Sequence, residues 1–153
     1  MGGPGPDAEV IRTGNPWLLA GGIASLAAAL THLACIAGGP DWYRWLGAGE
    51  RMARASERGA WHPALITCGI AGVLAVWAAY AFSGAGAIAR LPLLRVALLG
   101  ITAVYLLRGA ALFQPSLLRR PDLSPEFLTW SSIIVLAIGL VHAIGIWRGW
   151  NDL

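Results

Sequence analysis

Four long apolar runs, 16–35, 63–82, 91–113 and 127–147, the third carrying Arg95 and Arg108, constrain this chain more than any other feature. Each is about twenty residues long, and at about 1.5 Å of rise per residue such a helix covers about 30 Å, the hydrocarbon thickness of a bilayer. A membrane strand would instead need about ten residues of strict alternation and a closed barrel. Composition agrees. Of 153 residues, 57% are hydrophobic and only 12% are charged, where a soluble domain carries about 25% charge. The expected fold is all-α: a polytopic membrane protein with four transmembrane helices in a compact bundle. A soluble enzyme domain, a nucleic-acid-binding module and a disulfide-stapled secreted protein all fit poorly.

Local signals set the borders. Residues 1–15 carry Asp7, Glu9 and Arg12 without the basic-then-apolar pattern of a signal peptide, and read as a flexible tail. Asn15 before Pro16 is a cap followed by proline at the first helical position. Ser124-Pro125-Glu126 repeats that logic before the last run, with an acid in the first turn. These signals predict spans at about 16–37, 62–83, 91–113 and 126–148, within a single domain over 16–150 and ahead of a tail at 151–153. The connector 38–61 is too long for a bare turn. Trp42, Trp45 and Leu46 follow helical spacing there, and Glu50 and Arg54 form an i,i+4 pair. An amphipathic interfacial helix is expected, broken near Gly47 and Gly49.

All 11 basic residues are arginine, giving a net charge of +3. They sit in short connectors beside apolar runs, so membrane lipid headgroups are the expected partner and nucleic acid is not. With four spans, Arg12, Arg90, Arg95 and Arg148 lie on the side of the termini. Arg44, Arg51, Arg54, Arg58, Arg119 and Arg120 lie on the other. The positive-inside rule then puts the longer connectors in the cytoplasm and the termini outside, in a bacterial cytoplasmic membrane. Cys35 and Cys68 fall inside apolar runs and read as packing residues.

Polar residues inside the spans are few. Arg108 lies within the third run, where a guanidinium costs about 2.5–3.5 kcal/mol on insertion scales. It is expected either to reach the interface or to meet a carboxylate from Glu50 or Glu126, a hydrated cavity, a lipid phosphate or an anion. Tyr105 stands three residues earlier on the same face. Helix direction brings His32, His62, Ser131, Ser132 and Glu50 to a similar depth, so these seven residues form one candidate polar cluster. His142 lies towards the opposite surface and is a second, separate candidate site. No metal site is expected from this spacing, and no cofactor is identified.

No HExxH, CxxC, GxSxG or phosphate-binding glycine loop occurs. The leading functional expectation is therefore a small membrane accessory or interaction subunit without catalysis of its own, in a homo-oligomer or a larger membrane complex. One alternative is a small oligomeric transporter or channel with an anion or proton site near Arg108. The other is a membrane enzyme or redox subunit binding haem, quinone or a lipid headgroup.

Overall fold

The computed structural model describes residues 14–113 and 125–153, and every regular element among them is helical. Four long helices, α1 (Pro16–Gly38), α4 (His62–Gly84), α5 (Leu94–Ala110) and α6 (Pro125–Arg148), carry the apolar runs; a 3-10 turn, Ala111–Phe113, extends α5. Each is long and apolar enough to cross a bilayer. Two short helices, α2 (Pro40–Trp45) and α3 (Glu50–Glu57), form a cap between α1 and α4. The all-helical, four-span architecture is the one the apolar runs predict. The greater part of the tail expected over 1–15, and the loop carrying Arg119, Arg120 and Ser124, lie outside the described residues.

Asn15 starts α1 and anchors it to its neighbours. Its side-chain oxygen accepts from the Trp17 and Leu18 backbone N–H groups, both at 3.2 Å. Its amide nitrogen donates to the Gly145 carbonyl at 2.7 Å, and its backbone N–H donates to Ala85 at 3.1 Å. One cap residue thus ties the start of α1 to the ends of α4 and α6. Helix α1 ends at Gly39, whose φ of +69° lets its N–H turn back to the Cys35 carbonyl. The third span begins later than the apolar run implies. Pro92 disfavours helical geometry at Leu91, and Leu93 takes a left-handed conformation (φ 53°), so α5 starts only at Leu94.

The helices alternate in direction, with α1 against α4 and α5 against α6 as the main pairs and α1 crossing α6 between them. On the side of the termini, Leu18, Ala85, Leu94, Leu98 and Ile146 close one apolar cluster. Under the cap, Cys35, Tyr43 and Ala53 close another with Leu46, Ala48 and Met52.

Inside and outside are exchanged relative to a water-soluble bundle. Only 22% to 28% of each span's apolar stretch is buried. Many of the buried positions between the terminal clusters are small or polar, among them Ser25, Ala29, Thr67, Ala71, Thr102 and Ser132. Many large side chains point outwards, with Ile23 57%, Leu30 57%, Val96 67% and Leu107 74% exposed. Hydrocarbon is the solvent that surface suits. Without a hydrophobic force between helices, close approach must hold them together. A Cβ on Gly109 would stand 2.6 Å from the Leu136 Cα, and one on Gly21 would stand 2.7 Å from the His142 ring.

Candidate functional site

The polar residues of the bundle separate into two centres at different depths. The first joins α1, α4, α5 and α6. Ser25 Oγ and Tyr105 Oη lie 2.9 Å apart, fully buried. The Tyr105 ring meets the His142 ring at 5.3 Å between centroids and the Trp77 ring edge-on at 5.0 Å. His142 is completely buried. Its Nδ1 lies 2.9 Å from the Ile138 carbonyl oxygen; a carbonyl only accepts, so Nδ1 carries the proton and Nε2 presents a lone pair. That Nε2 and the Thr102 hydroxyl are buried with no hydrogen-bond partner among the described residues. Tyr105 and His142 belong to one centre, although the depth of their helices predicts two.

The second centre is a fork. Arg108 Nη1 donates to Ser132 Oγ at 2.9 Å and Nη2 to Ser131 Oγ at 3.2 Å. Ser131 in turn donates to the Leu128 carbonyl at 3.2 Å, so its oxygen is free to accept from the arginine. The packing of Gly109 on Leu136 sets Arg108 opposite Ala137. Its head nevertheless binds serines five and six residues nearer the connector surface, about 8 Å at 1.5 Å per residue. The arm therefore runs towards the interface, which lowers the cost of its charge. Among the described residues no carboxylate lies within ion-pair distance of it.

Glu50 is not that partner. It sits on the cap, where its carboxylate accepts from Arg44 Nε at 2.9 Å and from Arg54 Nε at 2.9 Å. Arg44 also holds Asp41 at 3.2 Å and Glu57 at 2.5 Å. The two guanidinium groups pull the Glu50 carboxyl down from 4.5 to about 2, and the carboxylates push the Arg44 guanidinium up. Arg44 of α2, held by Glu50 and Glu57 of α3, thus locks the two helices across the glycine break. His62 is exposed at the start of α4, away from either centre.

His32 lines a third feature. A cleft of about 390 Å³ opens between α1, α4 and the cap, bordered by Thr31, His32, Cys35, Met52, Thr67 and Ile70. His32 Nδ1 is turned back to the Ala28 carbonyl at 2.8 Å. Cys35 is buried and Cys68 exposed, and both are free thiols.

Known proteins offer no guide. No protein-family model, curated protein or solved structure matches the chain.

The candidate cluster of seven residues is thus distributed over four places. Arg108, Ser131 and Ser132 are joined; Tyr105 joins His142; Glu50 and His62 stay at the surface; His32 faces the cleft. Ser25 and Trp77 complete the Tyr105 centre, and Thr31 and Thr67 complete the cleft. Only Ser25 had a sequence signal, through its place on the small-residue face of α1 that also bears Gly21 and His32. Among the described residues no group of three or more His, Cys, Asp or Glu could hold a metal ion.

Proposed function

We propose that this protein is a small accessory or interaction subunit of a bacterial cytoplasmic membrane, without catalysis of its own, which works by presenting helix surfaces to membrane-embedded partners. The observation that carries this reading is a contrast among glycines. Gly21, Gly22, Gly84, Gly109 and Gly145 each lie where a Cβ would meet another helix within 3 Å. Gly69 and Gly72 on α4 and Gly100 on α5 have nothing among the described residues within 4 Å of that position. Glycine costs about 1 kcal/mol relative to alanine in a helix interior. The inner glycines repay that through contact inside the bundle, whereas the outer three have no such contact in a single copy. Close helix approach in a bilayer uses small residues of this kind. The partner is a spanning helix of a larger complex or of a second copy. The arginine-rich cap supports a cytoplasmic position for the connectors.

The test is the size of the particle extracted from native membranes in mild detergent. Wild-type protein should travel in a particle larger than its own 16.1 kDa plus detergent. The triple substitution Gly69→Leu, Gly72→Leu and Gly100→Leu should release a folded monomer. A wild-type monomer in native membranes, or a particle indifferent to all three substitutions, would defeat the reading.

A second reading, a small transporter with an anion site, draws on one observation: Arg108 bears a charge that only hydroxyls meet among the described residues. In that case Arg108→Gln should abolish anion flux in proteoliposomes while leaving insertion intact.

A further inference from the structure

We infer that the cleft beneath the cap binds a neutral, hydroxyl-bearing amphiphile, a prenylated hydroquinone, and holds it by its hydroxyl hydrogens. Position comes first. The cleft's volume of about 390 Å³ falls in the usual range of roughly 300–1,000 Å³ for small-molecule sites. Ile66 and Ile70 form its outer rim and are 49% and 44% exposed towards the bilayer, which leaves a path for an apolar tail. His32 lies six residues before the end of α1, about 9 Å below that end, so a head at His32 sits just under the interface.

The hydrogen-bond inventory then decides the class of ligand. Thr31 donates its hydroxyl proton to Ala27 at 2.9 Å, and Thr67 donates to Pro63 at 2.8 Å. His32 uses Nδ1–H on Ala28, which leaves Nε2 as an acceptor on the far edge of the ring. The cap contributes backbone to the cleft as well, and its N–H groups are already committed. Leu46 donates to Trp42, Gly47 to Arg44, Ala48 to Tyr43 and Met52 to Gly49. What remains on the polar lining is acceptors: two threonine oxygens and one imidazole nitrogen. Among the described residues no arginine lines the cleft, and a phosphate finds no countercharge there. The Cys35 thiol is a weak donor at most, and with Met52 it offers sulfur to the edge of an aromatic ring. A quinone carries carbonyls that only accept and would meet unmatched acceptors. Its two-electron, two-proton reduced form carries hydroxyl donors that match them. The proposal concerns binding of the reduced form; no electron transfer is part of it.

The experiment titrates the full chain, in phosphatidylcholine nanodiscs under anaerobic conditions, with decylubiquinol and separately with decylubiquinone. The hydroquinone should bind at least about tenfold more tightly, since unpaired acceptors discriminate strongly against a ligand without donors. Thr67→Val, of nearly equal volume, and His32→Phe should each weaken hydroquinone binding by about fivefold or more and narrow the preference. Ile66→Trp, placed at the exposed rim, should block both ligands without touching the polar lining. It keeps the test decisive should a lining variant fail to fold. Equal or tighter binding of the quinone would overturn the proposal. So would hydroquinone binding that survives Ile66→Trp in protein with native elution and thermal stability. Displacement of the hydroquinone by an equal concentration of diacylglycerol would also overturn it, by showing that any lipid alcohol suffices.

Discussion

The Tyr105 centre and the Arg108 fork lie one helical turn apart on α5 and solve opposite problems. The centre is uncharged, closed by aromatic rings and spread over four helices, with Ser25 on α1, Trp77 on α4 and His142 on α6. The fork carries a full charge, joins only α5 to α6 and reaches towards the connector surface. In hydrocarbon an unmade hydrogen bond has no water to replace it. A neutral pair can therefore be sealed in, while a guanidinium must keep a route to the interface. The difference teaches that depth, more than residue type, decides whether a polar side chain in this bundle serves as a fastener or as an anchor.

The comparison breaks most visibly where backbones touch. Gly109 stands at the level of the fork and packs on Leu136 itself. Gly109→Leu should destabilise the bundle by about 3 kcal/mol, because overpacking at a backbone contact has no flexible neighbour to yield. It should separate α5 from α6 and so abolish both centres together. Denaturant titration in mixed micelles measures the loss, and a cost near zero would mean that the two helices are not held at this distance.

A smaller effect separates the centres. Tyr105→Phe removes the hydroxyl from Ser25 and leaves that serine buried, at a cost of about 1 kcal/mol. Ser132→Ala should cost about half of that, since the Arg108 head retains Ser131 and lies close enough to the surface to recruit water or a headgroup. A double-mutant cycle sharpens the contrast. Ser25 and Tyr105 should couple by about 0.6 kcal/mol or more, and Arg108 and Ser132 by less. A larger coupling at the fork would reverse the assignment of fastener and anchor.

Much of this architecture is legible in the residues, and the part that is not has a common cause. Run length announces the four spans because crossing hydrocarbon requires about twenty apolar residues, whatever the neighbours are. Asn15-Pro16 marks its helix start, and Gly47 with Gly49 marks the break in the cap, since both signals act within one turn. The start of α5 is displaced from Leu91 to Leu94 by Pro92, again a local effect that can be read afterwards. Contacts between helices are another matter. Depth along an antiparallel pair follows from chain direction, so Ser131 and Ser132 are correctly level with the connector end of α5. Rotation about each helix axis does not follow from it. Tyr105 and Arg108 share a face by spacing, yet one turns to α1 and the other along α6. The close fit of Gly139 against Tyr105 and of Gly109 against Leu136 fixes that register, and those contacts exist only once the helices have packed. Glu50 is held away from Arg108 for a similar reason: the packed cap sets Arg44 and Arg54 against its carboxylate.

The smallest effect lies in the cap, where charge is abundant and water is near. Glu50 has its carboxyl pulled from 4.5 to about 2 by Arg44 and Arg54. A carboxyl with a depressed value in the folded state contributes its full stabilisation above the unfolded value. That contribution starts to fade as pH drops below about 4.5 and is gone once pH falls through about 2. Acidification across this window should loosen α2 against α3, read as faster amide exchange over 40–57. Glu50→Gln should reproduce the loosening at neutral pH and remove most of its acid dependence. Because the pairs are exposed, about 0.15 M salt should already weaken them, whereas the Ser25–Tyr105 bond should be indifferent to salt. Exchange that spreads from the cap into α5 and α6 in Glu50→Gln at neutral pH would show instead that the surface charges and the buried centres are one cooperative unit.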